Sequence, residues 1–309
     1  MAVAEHRFRV MASEATVLVA GAPATDASEQ LLRHLEQVWS RFIPDSDVSV
    51  LNRTPGVPVR VDPATVTLVE TMVEARRLTE GAFDPTLLRP LLDLGYVGSI
   101  DDPAKRTSLP AGPMSPTASI RPSLDDLVVD RERCLVLLPP GLAIDPGGIG
   151  KGLAADLAVR SLLDAGATAA LVSIGGDLSA AGEIPGGWNI EVERPDAVDP
   201  TLDTAVVCVL SIDRGGVATS STLSRRWMHH GHEVHHLVDP LDRGQSRTDL
   251  HAVTVAAGTG WLAEAHATAA LLAGSGAVLD HFRRNELSGL AFTSDGRVVA
   301  SDDLVGCAA

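Results

Sequence analysis

The ten residues from Ala143 to Gly152, Ala-Ile-Asp-Pro-Gly-Gly-Ile-Gly-Lys-Gly, constrain this chain more than any other segment. An apolar stretch ends at Asp145, the backbone turns through Gly147, Gly148, Gly150 and Gly152 around Lys151, and an Ala/Leu-rich segment runs on from Leu153 to Leu163. That order reads as strand, tight turn, helix. Free amides at a helix start, beside a cation, suit a phosphate. The Walker pattern is absent because Gly152 stands where Ser or Thr would hold magnesium, and the GxGxxG pattern is absent too. A glycine cluster of this kind also serves as a plain packing turn, so other segments have to decide.

The remaining pattern is mixed α and β. Phe8 to Ala20 reads as a strand, Asp26 to Trp39 as a helix with a stripe of Leu31, Leu32, Leu35 and Val38, and Asp62 to Leu78 as a second helix with Asp62 as N-cap and Pro63 in the first turn. Phe42 to Asn52 reads as a polar turn region. Short strands are expected at Leu127 to Val129, Cys134 to Leu138, Leu142 to Ile144, Ala169 to Ile174, Trp188 to Val192, Thr204 to Ile212, Ala252 to Ala257 and Leu290 to Thr293, with a helix from Trp261 to Leu272. The proline-rich stretch 98–122 reads as a surface loop or insertion. With 309 residues and 45% hydrophobic content, the chain is expected to form a single domain over 1–309, of one or two lobes.

Charge and cysteine usage narrow the function classes. A net charge of -15 argues against a nucleic-acid footprint, so an anionic ligand needs local positive charge. Cys134, Cys208 and Cys307 are too scattered for a disulfide framework or a zinc motif. No stretch is long and apolar enough for a transmembrane segment and no export signal opens the chain, which makes the cytoplasm the expected location.

Several residues have chemistry to offer. Glu264 and Thr268, four apart in an alanine-rich helix, project from one stripe and form a half-site for a hard cation such as magnesium; a plain polar face, or Thr268 bonded back to the helix, is the alternative. His229, His230, His232, His235 and His236 crowd one segment without zinc spacing, and His236, next to apolar Leu237 and Val238, is the one placed to enter a site and take a proton. Phe42 offers an apolar wall or a core residue. Ala82, Phe83 and Asp84 follow a helix in a turn-like Gly-Ala-Phe-Asp-Pro-Thr run.

In order along the chain, Phe42 to Asn52, Thr79 to Thr86, Asp145 to Gly152 with Asp156, Ser173 to Asp177, Val217 to Ser220, His236 to Pro240 and finally Glu264 to Thr268 resemble the ApbE family, the FAD:protein FMN transferases. The resemblance implies a mixed α/β fold with antiparallel-rich sheets flanked by helices. It also implies a magnesium-dependent enzyme that moves FMN from FAD to a Thr or Ser hydroxyl of an acceptor flavoprotein and releases AMP. The positions matching flavin contacts are Met11, Phe42, Ala82, Phe83, Asp84, Asp145, Lys151 and His236; those matching metal ligands are Gly148, through its carbonyl, Glu264 and Thr268. His236 is the expected base, Asp145 the competing one, and Lys151 would offset charge on the pyrophosphate. Glu264 replaces the family's usual aspartate, Ala267 a second aspartate, and Phe42 a common tyrosine. Two alternatives remain open: a magnesium-dependent FAD pyrophosphatase yielding FMN and AMP, and a non-catalytic FAD-binding protein.

Overall fold

The structure is a computed structural model, and residues 2–21, 26–99, 101–109, 123–195 and 206–306 are described. In chain order the strands are β1 (Val3–Val10), β2 (Ser13–Ala20), β3 (Val59–Arg60), β4 (Val128–Asp130), β5 (Leu135–Leu137), β6 (Ala169–Ile174), β7 (Asp177–Ala181) and β8 (Trp188–Glu193). They continue as β9 (Val206–Ile212), β10 (Gly215–Ser221), β11 (Arg226–His229), β12 (His232–His235), β13 (Leu250–Ala257), β14 (Ser288–Thr293) and β15 (Val298–Ala300). The helices are α1 (Asp26–Trp39), α2 (Asp47–Arg53), α3 (Pro63–Leu78), α4 (Leu88–Asp93), α5 (Gly150–Asp164), α6 (Gly260–Ala273) and α7 (Val278–Arg284).

Eight strands form one sheet in the order β1-β2-β6-β7-β10-β13-β14-β15, every neighbouring pair antiparallel. Strands β2 and β6 are apolar on both sides because both faces are covered. Ala15, Val17 and Val19 of β2, with Ala170, Val172 and Ile174 of β6, join the helix-side core, whereas Leu18, Ala20, Ala169 and Leu171 meet the β8-β9 hairpin. An antiparallel strand buried on two faces therefore reads as an unbroken hydrophobic run, the pattern more usual for parallel sheets. Helices α5 and α6 lie side by side on the sheet, α5 over β6 and β7, α6 over β10 and β13. Where their first turns meet, a Cβ on Gly152 would sit 2.3 Å from the Gly260 carbonyl oxygen, so only glycine permits the approach.

Five local expectations need correction. Cys208, expected to be too far from the other cysteines for a disulfide framework, is disulfide-bonded, and Cys134 is free. The strand expected over Phe8 to Ala20 is the hairpin β1-β2, whose turn residues Met11 and Ala12 both take positive φ, 52° and 56°. Such turns usually carry Asn or Gly, so Met-Ala gave no signal. The turn region Phe42 to Asn52 contains α2, capped by the Ser46 hydroxyl accepting from Ser49 N at 3.1 Å, and Val48 and Leu51 are fully buried. Leu142 to Ile144 pairs with no strand; instead the buried Asn52 amide takes both backbone groups of Ile144, each at 2.8 Å. The hairpin partner β7 and the strand β10, both beside glycines, were not expected. Of the strand expected over Thr204 to Ile212, residues 204 and 205 lie outside the described residues, as do 100 and 110–122 of the proline-rich stretch and residue 307. No helix among the described residues is long and apolar enough to cross a membrane.

Candidate active site

The glycine run is held in place before it turns. Ile144 is clasped by Asn52, Asp145 N donates to Pro85 O at 2.8 Å, and Asp145 Oδ1 accepts from Gly147 N at 3.0 Å in an Asx turn. Gly148 then takes φ +83°, and α5 begins at Gly150. A Cβ on Gly148 would stand 3.1 Å from the Phe83 ring and 3.4 Å from Thr268 Oγ1, so the turn lies directly against both. Lys151, on the first turn of α5, forms an ion pair with the buried Asp177, whose other oxygen accepts from Thr219 N at 3.2 Å. Burial works against the ammonium, but Asp177 and Glu264 outweigh it and raise its pKa above the ordinary lysine value.

Across from this turn stands α6, whose N-terminus is fixed by Asp156 accepting from Gly260 N at 2.8 Å and Trp261 N at 3.0 Å. One turn further on, Glu264 is 4% exposed and its Oε2 accepts from Gly152 N at 2.8 Å. Burial, reinforced by Asp177, pushes its carboxyl above the ordinary glutamate range, against the pull of Lys151 and the Gly152 amide. Thr268 Oγ1 lies 2.9 Å from Ser220 Oγ on β10.

The third wall is aromatic and basic. Arg41, almost fully buried, reaches Asp145 Oδ2 with Nε at 3.2 Å and donates from Nη1 to Thr107 Oγ1 at 2.6 Å. Its guanidinium lies over Phe42 at 4.1 Å and Tyr96 at 4.8 Å from the ring centres. Tyr96 in turn stacks on Trp227 with centroids 5.1 Å apart and planes 19° apart. Asp84 Oδ1 is engaged locally, accepting from Thr86 N at 2.8 Å and Thr86 Oγ1 at 2.7 Å, and Phe83 N donates to Thr79 Oγ1 at 3.0 Å. His236 follows β12, with Nδ1 shut off from solvent and lacking any partner. Burial, then the positive charge of Arg225, hold its pKa down to about 3, so the ring is neutral.

All eleven expected site residues line one cleft of about 560 Å³: Met11, Phe42, Ala82, Phe83, Asp84, Asp145, Gly148, Lys151, His236, Glu264 and Thr268. Sequence reasoning missed the roles of Arg41, Tyr96 and Arg225, which line the same cleft. Arg41 had its position beside Phe42 as a hint; Tyr96 and Arg225 lie in segments without a motif. Ser99, in the proline-rich stretch, also reaches the cleft, while Thr107 braces Arg41.

The ApbE family model matches residues 8–291. This chain belongs to the ApbE family. The FAD:protein FMN transferase of Escherichia coli (strain K12) is 27% identical over 277 residues, covering 88% of this chain and 75% of its own length. The FAD:protein FMN transferase of Treponema pallidum (strain Nichols) is 29% identical over 295 residues, covering 89% and 78%. Among solved structures, the ApbE protein of Thermotoga maritima MSB8 superposes with a TM-score of 0.81 at 25% identity and full coverage of both chains. The apo form of the flavinyl transferase ApbE from Pseudomonas stutzeri gives 0.78 at 25% identity, covering 99% of this chain and 97% of its own. The mixed fold with antiparallel sheets expected from the ApbE resemblance is the fold present.

Proposed function

We propose that this protein is a magnesium-dependent FAD:protein FMN transferase, acting on a Ser or Thr hydroxyl of an acceptor flavoprotein and releasing AMP. The observation that carries the reading is the convergence of the glycine turn, the α6 pair and the aromatic wall on one cleft. FAD is the substrate, and its pyrophosphate belongs at the α5 N-terminus, where the first-turn amides and Lys151 face it.

Because Lys151 and Arg41 are already neutralised by Asp177 and Asp145, Arg225 is the cation of the cleft that brings uncompensated charge to the phosphates. Glu264, Thr268 and the Gly148 carbonyl are hard oxygen donors, with Thr268 lying against Gly148 and Glu264 one turn before Thr268 on α6, and such oxygens suit a divalent cation. No cluster of three His, Cys, Asp or Glu that could hold a metal occurs among the described residues, so hydroxyl, carbonyl and substrate phosphate would complete the set. Magnesium there would supply charge neutralisation and orientation of the pyrophosphate.

The acceptor hydroxyl oxygen attacks the FMN-side phosphorus, the bond from that phosphorus to the AMP oxygen breaks, and the hydroxyl proton passes to the His236 imidazole. Both Asp145 oxygens are occupied, by Arg41 Nε and Gly147 N, which favours His236 over Asp145 as the base. Burial is the main cause of the depressed His236 pKa, and the lesser contributions of Arg225 and Lys151 are those that bound phosphates would offset. Incubation with FAD, magnesium and a candidate flavoprotein, read by mass spectrometry and nucleotide chromatography, tests the assignment. An FMN-sized adduct with AMP supports it; AMP without adduct means a pyrophosphatase, and FAD binding without either product means a binding protein.

A further inference from the structure

Beside the cleft lies a second cavity of about 350 Å³ whose Arg106, Arg226 and Trp227 have no part in the transfer chemistry. Arg106, Arg225, Arg226 and the stacked rings of Tyr96 and Trp227 line it, and no carboxylate does. In a chain of net charge -15 this is a local reversal of sign. Arg226 pairs with Glu233 at 3.0 Å, but the side chains of Arg106 and Arg225 make no hydrogen bond or ion pair among the described residues. Arg225 also takes φ +53°, a left-handed conformation uncommon for a non-glycine residue and a mark of constraint at functional positions.

The two cavities adjoin, with Tyr96, Ser99 and Arg225 lining both. A polypeptide lying in the outer groove would therefore pass beside the cleft. We propose that this arginine-lined groove is the docking surface for an acidic segment of the acceptor protein, which presents its hydroxyl to the cleft. The inference rests on the transferase reading and adds to it where the acceptor binds and by what chemistry. Electrostatics favour this occupant: the acidic body of the enzyme repels an acidic partner everywhere except where positive charge is exposed, so the groove both attracts and orients it. The Tyr96 and Trp227 rings supply a flat apolar plate, and the Trp227 N–H is already satisfied by Leu94 O at 2.8 Å.

The test uses the full chain and a short fluorescein-labelled peptide rich in glutamate around one threonine, followed by fluorescence anisotropy. Arg106→Gln and Arg226→Gln lie outside the FAD cleft, and Arg106 is exposed with no side-chain partner, so that variant keeps the fold. The double variant is expected to weaken peptide binding about tenfold, and added salt to weaken the wild type, with FAD affinity unchanged. A lysine-rich peptide binding equally well, or peptide affinity indifferent to both substitutions, overturns the proposal. So does a parallel fall in FAD or AMP affinity, which would make the groove a nucleotide subsite. Wild-type protein assayed for the FMN adduct reports separately on the transferase reading, so peptide binding without any transfer would remove that reading alone.

Discussion

Single residues in the cleft are held by opposing charges, and their substitution separates structural from chemical roles. Glu264 is buried and its carboxyl is pushed above the ordinary glutamate range, so Glu264→Gln keeps the shape while removing the ionisable oxygen. Thermal stability at pH 7 should stay within about 1 kcal/mol, while magnesium-dependent AMP release falls about a hundredfold or more. Retained turnover would remove Glu264 from the metal site. Lys151 is different because Asp177, 2% exposed, depends on it. Lys151→Met should destabilise the fold by about 3 kcal/mol by stranding that carboxylate. Adding Asp177→Asn should restore most of the stability but not FAD affinity, a combination that calorimetry and FAD titration can check. If stability does not recover, the pair is not the reason for the loss.

At the scale of elements, the site depends on how closely two helix starts approach. Gly152 on α5 and Gly260 on α6 touch through their backbones, and the Gly152 amide binds Glu264 across that contact. Gly152→Ala should push α6 away, costing about 3 kcal/mol in chemical denaturation and most of the turnover. Full activity in a stable variant would show that the separation of α5 and α6 does not set the metal half-site. The helix boundaries themselves were largely legible: Asp26 to Trp39 matches α1, and Asp62 caps α3 by accepting from Ala64 N at 2.8 Å. The short helix α2 escaped notice because its polar composition hides two fully buried apolar residues, Val48 and Leu51, that only a neighbouring core rewards. The β1-β2 turn escaped because Met11 and Ala12 reach left-handed backbone without the residue types that announce it.

The whole molecule shows its burial in how it answers acid. His235, His236, His266 and His281 are all depressed by burial, His281 to about 4 where its ring lies 3.1 Å from His266 between α6 and α7. A histidine that resists protonation binds fewer protons folded than unfolded, so stability is full above pH 6.5 and declines as pH falls toward 4. His281 alone contributes a loss on the order of 3 kcal/mol across that window. Unfolding measured at pH 7 and pH 5 should show the decline before most carboxylates titrate, and His281→Asn should flatten it. A melt indifferent to pH in this range would mean that the pair is reached by water.

The sequence by itself determined the alternation of helices and strands, the glycine turn at the head of α5, the pairing of Glu264 with Thr268 on one helical stripe, and the family. These follow from local periodicity and from spacing within single segments, which a linear chain displays directly. Only the tertiary structure decided that Lys151 and Arg41 are spent on Asp177 and Asp145, that Arg225 is left to carry uncompensated charge, and that Tyr96 and Trp227 stack across more than a hundred residues of sequence. Charge compensation and ring stacking are fixed by distances of a few ångströms between remote segments, and no local pattern encodes which carboxylate a given cation will meet.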